Sequence, residues 1–223
     1  MTADRTASPL APQAAAFVRA NSRLGPVPLV PEISLHLGDD AFSVWEAAER
    51  EVGATEQPPP FWAFAWPGGQ ALARYLLDHA EQVAGRAVLD VGSGSGLAAI
   101  AAAMAGASTV VASELDPFAR AAIELNAAAN RTHVTITGDV LDGTGEGAGL
   151  VLAADVWYER RLADRVLGLL RRARASGAHV LAGDVGRAFL PRSALLELAA
   201  YDVPVIAELE DAAMKRVLVL TLR

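Results

Sequence analysis

Asp90-Val91-Gly92-Ser93-Gly94-Ser95-Gly96 is the segment whose residue types and spacing could do chemistry. An apolar run, Ala87 to Val91, leads into it, and a small-residue run, Leu97 to Ala105, follows. Glycines let a strand turn sharply into a helix and let a ligand approach the backbone with no Cβ in the way. The first turn of the helix then presents free N–H groups. Such a turn suits either a pyrophosphate or the methionine moiety of S-adenosylmethionine, and the spacing separates the two. A dinucleotide fingerprint reads G-x-G-x-x-G, but its third glycine would fall on Leu97. An acid two residues before the first glycine also suits a cation, because Asp90 attracts a sulfonium and an amino group and repels phosphates.

Two further acids lie in register with this turn. The β-branched run Thr109 to Ser113 ends at Glu114, 18 residues after Gly96. An acid there can accept both hydroxyls of a ribose, by the logic that dinucleotide folds use. Asp139, just past the run Val134 to Thr137, can accept from an adenine amino group. Leu115 and Val140, next to these acids, complete the expected cofactor-binding set of Trp66, Asp90, Gly92, Ser93, Gly94, Gly96, Glu114, Leu115, Asp139 and Val140. Trp66 enters that set only through the resemblance described below. Asp116 reads as a helix cap before Pro117.

The elements that must position these groups follow from periodicity. Strands are expected at Leu29–Leu37, Ala87–Val91, Thr109–Ser113, Val134–Thr137, Leu150–Ala154, Ala178–Ala182, Val203–Ala207 and Arg216–Leu222. Helices are expected at Phe42–Val52, Gly69–Val83, Leu97–Ala105, Pro117–Ala129, Arg160–Ala175 and Ser193–Ala200. Strands alternating with such helices imply right-handed crossovers and a mostly parallel sheet. The last two strands, with no helix between them, are expected to pair antiparallel. Gln57-Pro58-Pro59-Pro60 reads as a stiff boundary. It divides an N-terminal extension, 1–60, from a catalytic domain, 61–223. Residues 1–25 read as poorly ordered.

Composition excludes several chemistries. The 223 residues contain no cysteine, so thiol nucleophiles, disulfides and cysteine zinc sites are impossible. Lys215 is the only lysine, which rules out a Schiff-base or Walker-type lysine elsewhere. The four histidines show no ligand spacing, and no metal site is expected. No G-x-S-x-G elbow is present. A net charge of -7 argues against a sequence-independent nucleic-acid binder. Arg160, Arg161, Arg165, Arg171, Arg172 and Arg174 read as the solvated face of one helix. No apolar run is long enough to span a bilayer, and the N-terminus lacks the apolar core of a signal peptide. The expectation is a cytoplasmic, monomeric protein that engages neither membrane nor nucleic acid.

A family resemblance reaches beyond the glycine turn. Phe61-Trp62-Ala63-Phe64-Ala65-Trp66-Pro67-Gly68-Gly69-Gln70-Ala71-Leu72 resembles the segment before the cofactor fold in seven-β-strand protein-lysine methyltransferases, closest to those acting on the electron-transfer flavoprotein β-subunit. Asp155-Val156-Trp157-Tyr158 is similar to that group's Asp/Glu-x-x-Tyr/Phe motif. Gly183-Asp184-Val185-Gly186-Arg187 resembles its Gly-Asp-Pro-Gly-Arg, with Val185 as a departure, and Leu29–Ile33 resembles its N-terminal strand. The ribosomal-protein methyltransferases share the loop. The resemblance implies a class I methyltransferase fold, α/β/α in three layers. Its seven-stranded sheet would run in the order 3-2-1-4-5-7-6 with the last strand antiparallel. It implies that Trp66 lines the pocket of S-adenosylmethionine, which leaves as S-adenosylhomocysteine, and that Asp155 and Tyr158 form the acceptor site. The expected substrate is a protein, the electron-transfer flavoprotein β-subunit; the alternatives are a small-molecule N- or O-methyltransferase, favoured if residues 1–60 close the acceptor pocket, a ribosomal-protein methyltransferase, and last a non-catalytic binding module.

An amine acceptor must react uncharged. A free lysine, of pKa about 10.4, is neutral in only about one molecule per thousand near pH 7.4, a penalty of roughly 4 kcal/mol. Burial beside a cationic cofactor offsets this, whereas Asp155 pulls the other way. On this reading Asp155 orients the ammonium, and Trp157 and Tyr158 contact the alkyl stem and cation face as substrate-binding groups.

Overall fold

The computed structural model describes residues 11–53, 59–205 and 212–223. Three apolar runs that are neighbours in the sheet, Ala87–Val91 (β3), Thr109–Ser113 (β4) and Leu150–Ala154 (β6), are covered on both faces, as parallel central strands require. With Thr135–Thr137 (β5), His179–Asp184 (β7), Leu195–Pro204 (β8) and Met214–Leu222 (β9) they form one seven-stranded sheet. Its order is β5-β4-β3-β6-β7-β9-β8, and β9 runs antiparallel to both neighbours. Counting from β3, that order is the expected 3-2-1-4-5-7-6. The chain leaves β3 in one direction through β4 and β5, then returns to the other side of β3 at β6. The switch point therefore lies between the ends of β3 and β6, where ligands of open α/β sheets bind.

Helices Pro67–Asp78 (α3), Leu97–Met104 (α4) and Pro117–Ala129 (α5) pack on one face of the sheet, with Leu72, Leu76, Ile100 and Ile123 fully buried in one cluster. Arg160–Ala175 (α6) covers the other face. Its Ala163, Val166, Leu169, Leu170 and Ala173 recur at helical spacing and are buried. The arginines of α6 do more than face solvent. Arg172 donates to the carbonyls of Leu141 and Gly143, and Arg165 bridges Asp139 and Asp142, so the helix pins the loop after β5.

Two expectations need correction. Residues 11–25 are not poorly ordered. Ala11–Ala20 (α1) is a helix whose Ala14, Phe17 and Val18 pack against α5, with Phe17 4.4 Å from Phe118. Arg23–Val27 (β1) then pairs with Val30–Leu37 (β2) in a hairpin. Alanine-rich composition hid the apolar face of α1, and Gly25-Pro26 hid β1. Secondly, Ser193–Ala200 is not a helix. Apart from a short 3₁₀ turn at Arg192–Ala194, it opens β8, which pairs with β9 from Leu195 to Pro204. Its Leu, Glu and Ala favour a helix intrinsically, but a nine-residue partner strand overrides that weak preference. The remaining part of Val203–Ala207 beyond Val205 lies outside the described residues, as do Gln57 and Pro58 of the expected boundary.

A third point concerns the N-terminal extension, whose described residues share a core with the sheet. Val27, Val30, Ile33 and Leu35 are fully buried in the cluster that holds Leu72 and Ile100. Asn126 of α5, itself fully buried, accepts from the His36 N–H at 2.7 Å and donates to the Ser95 carbonyl at 2.8 Å. The hairpin is thus tied through one side chain to the glycine turn. Helix Ala41–Val52 (α2), capped by Asp40, joins α1 over the same flank. Among the described residues, no helix is long and apolar enough to cross a membrane.

Candidate active site

A cavity of about 900 Å³ opens at the switch point, a size typical of small-molecule sites. One wall is the turn after β3. Gly92, Gly94 and Gly96 all have left-handed backbone (φ 64, 55 and 84), a conformation that strains any side chain. Asp90, 2% exposed, accepts from the Ser93 hydroxyl at 2.5 Å. Burial pushes its carboxyl up to about 6, and the nearby charge of Glu114 adds to the shift. Gly92, Ser93 and Gly94 line the cavity, joined by Ser95, Leu97 and Ala98. Gly96 stands behind the wall, where an added Cβ would lie 3.3 Å from Ile123, so it serves the packing of α4 on α5.

Glu114 leaves β4 pointing back at this turn. Its carboxylate accepts from the N–H of Gly94 (2.9 Å), Leu115 (2.7 Å) and Asp116 (3.1 Å). A carboxylate has about four acceptor sites. The expected grip on two hydroxyls is therefore narrowed to one, with a second only if an amide turns away. Leu115, 66% exposed, lines the mouth, and Asp116 caps α5 through the Phe118 N–H. Asp139 and Leu141 line the far end. Asp139 accepts from the Leu141 N–H and from Arg165, which together hold its carboxyl below the usual range. Val140 is not in the wall. The Asp139–Leu141 turn directs it against the α6 cluster, and Leu141 takes the place assigned to it.

The opposite wall is built by α3 and the ends of β6 and β7. Gly68 and Gly183 let these backbones touch, since a Cβ on either would sit within 2.3 Å of the other's carbonyl oxygen. Trp66, the residue before α3, lines the cavity, and its indole N–H donates to the Phe61 carbonyl. It offers no side-chain cap to α3. Asp155 supplies one from a distance, accepting from the Gly69 N–H at 2.9 Å, while its other oxygen accepts from Arg187 at 3.2 Å. Asp155 itself is left-handed (φ 55), its N–H held by the Gly183 carbonyl. Burial pushes its carboxyl up to about 7, against the pull of Arg187 and with the push of Asp184. Tyr158, 46% exposed, lines the rim with its ring 5.3 Å from Phe61. Burial raises its hydroxyl, and Glu114 and Glu159 add to the shift.

Trp157 is not a substrate-binding group. It is fully buried with Val156, Ala163, Val166 and Leu190 under α6, whereas the next residue, Tyr158, reaches the cavity rim. Two residues that touch the site were not singled out by type or spacing. Phe61 lines the cavity between Trp66 and Tyr158. Arg187 lies over the Trp66 ring at 5.6 Å, and Asp184 shapes its loop by accepting from the Gly186 and Arg187 N–H groups. The only signal for either was its place in a quoted motif.

The chemistry of the donor set is that of a cation site. Glu51, Asp90, Glu114, Asp116, Asp139 and Asp155 line the cavity, against Arg187 as the one cationic side chain in its described wall. Asp90 is buried with a hydroxyl for a partner and no cation among its described contacts. A positively charged ligand with a hydroxylated sugar fits these groups; a polyphosphate does not. Among the described residues no cluster could hold a metal ion.

Residues 70–159 match the family model of ribosomal protein L11 methyltransferase. The chain is similar to the electron transfer flavoprotein beta subunit lysine methyltransferase of Danio rerio, 40% identical over 79% of this chain and 70% of that protein. A homolog of that enzyme in Caenorhabditis elegans is 30% identical over 82% of this chain and 81% of its own length. In fold it is similar to magnesium protoporphyrin IX methyltransferase of Synechocystis PCC 6803, solved with bound SAM. That match has a TM-score of 0.51 at 17% identity and covers 70% of this chain and 78% of that one. With the reversed strand order, the glycine turn and the two acid-lined walls already in place, the chain is a methyltransferase and belongs to the electron transfer flavoprotein beta subunit lysine methyltransferase family.

Proposed function

We propose that the chain binds S-adenosylmethionine across the glycine turn and methylates a lysine of a partner protein, the β-subunit of an electron transfer flavoprotein. The observation that carries this reading is the acidic cavity with an open end. Asp90 and Glu114 on one side suit the charged methionine moiety and the ribose, and Asp139 and Leu141 suit the adenine. When bound, the cofactor supplies a methyl group on a positively charged sulfur, open to in-line attack by an amine. The chain's residues contribute position more than acid–base chemistry. Trp66, Phe61 and Tyr158 offer aromatic faces to an alkyl stem, and Asp155 fixes the turn that presents Trp66. The acceptor's proton leaves to water at the exposed rim.

Residues 13, 14, 51, 52 and 59 also line the cavity, which was the condition favouring a small-molecule acceptor. Helices α1 and α2 pack with α5, on the flank of Glu114 and Phe118, whereas Tyr158 is half exposed at the acceptor end. That opening supports a side chain arriving from another protein. The test is incubation with the purified flavoprotein subunit and radiolabelled S-adenosylmethionine, followed by mass spectrometry. Label on a lysine is expected; label on a small molecule alone sinks the reading.

Glu114→Ala is expected to weaken cofactor binding about 10- to 150-fold, the loss of a charged acceptor worth roughly 1.5–3 kcal/mol. Calorimetry with S-adenosylhomocysteine checks it. The demethylated product lacks the sulfonium, so an effect there is independent of the charge of the sulfur.

A further inference from the structure

A carboxylate beside an aromatic face is a receptor for an ammonium ion, and in this pocket both parts are already engaged. Arg187 donates to Asp155 at 3.2 Å and lies 5.6 Å from the centre of the Trp66 ring, with its side chain 20% exposed. Asp184, fully buried, anchors the loop that carries it through two backbone N–H groups. A guanidinium keeps its proton at any pH the protein tolerates, so this cation is a fixed part of the acceptor wall.

We propose that Arg187 decides which form of the acceptor the site admits. Its guanidinium fills the cation position between Asp155 and Trp66, so the pocket takes the acceptor nitrogen as an uncharged amine and turns the ammonium away. The inference rests on the lysine reading above and completes it. The surplus of carboxylates in the cavity wall draws a cationic side chain toward it. At the innermost position Asp155 is matched by Arg187, and a second cation meets like charge. The proton is shed to solvent between the two places, and the nitrogen arrives with its lone pair free. An unpaired Asp155 would instead hold the acceptor in its unreactive form.

Other charged groups among the described residues also face this cavity, Glu51, Asp116 and Asp139 included. Asp184 lies behind the Asp155–Arg187 pair with Arg192 beyond, Asp90 stands across the cavity, and Glu114 and Glu159 act on the Tyr158 hydroxyl. A pH profile therefore has to be compared between variants rather than read from one protein.

The experiment titrates the protein loaded with S-adenosylhomocysteine with n-butylamine, following tryptophan fluorescence at pH 7 and pH 9.5. For the wild type, apparent affinity is expected to follow the uncharged fraction of the amine, a rise of roughly 300-fold over that interval. In Arg187→Gln the incoming ammonium takes the place of the guanidinium and, like it, draws the Asp155 carboxyl down, so binding is expected already at pH 7 with a rise below about tenfold. Arg187→Lys should keep the wild-type profile. Equal wild-type binding at both pH values, absence of wild-type binding at both, or a glutamine variant that tracks the wild type each overturns the proposal. If the glutamine variant fails to fold, the wild-type and lysine profiles still decide it. Failure of methyl transfer to the flavoprotein subunit would count against the lysine reading instead, since this titration needs no transfer.

Discussion

Asp90→Asn is expected to raise the melting temperature of the unliganded protein by about 5 °C while weakening S-adenosylmethionine binding at least about thirtyfold. The two effects have one origin. Asp90 is a buried carboxyl raised from 3.8 to about 6. A folded-state value above the unfolded one means that ionisation opposes folding. The protonated group carries no such cost below about pH 4, and the cost is complete once pH has risen through 6. At pH 7 it amounts to about 3 kcal/mol. Asparagine removes the charge and still offers an oxygen to the Ser93 hydroxyl. At this chain length each kcal/mol is about 2–4 °C, and the extra amide protons take back part of the gain. The lost carboxylate is also the partner of the ligand's charge, and truncating a buried charged partner costs about 2–5 kcal/mol. Thermal denaturation at pH 7 and pH 4, with calorimetry of the sulfonium and thioether forms of the cofactor, checks both halves. The stability gain should vanish at pH 4, and the sulfonium form should lose more affinity than the thioether. A melting temperature that falls at pH 7 would show that Asp90 is not held against its own ionisation.

The second large effect is at Asp155. Replacement by alanine removes the acceptor for the Gly69 N–H and the carboxylate beside Arg187. A lost cap and a lost carboxylate partner for the partly exposed Arg187 together cost about 3 kcal/mol, or about 6–12 °C in melting temperature. Turnover should fall at least tenfold, because Trp66 and Arg187 both take their positions from this carboxylate. Asparagine separates the two roles. It can still accept from Gly69 and should recover most of the stability, but it cannot hold Arg187 by charge, and turnover should stay low. Since burial puts Asp155 at about 7, the ion pair forms as pH rises through that value. The wild-type rate should carry an ascending limb there that Asp155→Asn lacks. An asparagine variant with wild-type turnover would reduce Asp155 to a helix cap.

The glycine turn and its acids were legible because each rests on a local rule. Backbone at positive φ selects glycine, and acids at strand ends fall at fixed intervals once the strands are found. The sheet order came instead from the Trp-Pro-Gly-Gly resemblance, whose first glycine, Gly68, proves to be the point where α3 touches β7. What stayed hidden depends on partners distant in sequence. β8 is a strand only because β9 lies beside it, and α1 is ordered only because Phe118 and Trp62 await its apolar face. Trp157 and Tyr158 are adjacent and both aromatic, yet the fold buries one and opens the other. Arg187 needed the fold itself, since 32 residues separate it from Asp155.

Asn126 carries a consequence for the borders of the molecule. Its amide spans the β1–β2 hairpin and the cofactor turn, with Ser34 tied to the same helix through Asn130. A fragment starting near residue 60 would leave that amide half satisfied and strip four fully buried aliphatic side chains from the interior. Residues 23–37 are thus a keystone of the interior, and trimming them away is expected to cost the order of the cofactor turn itself.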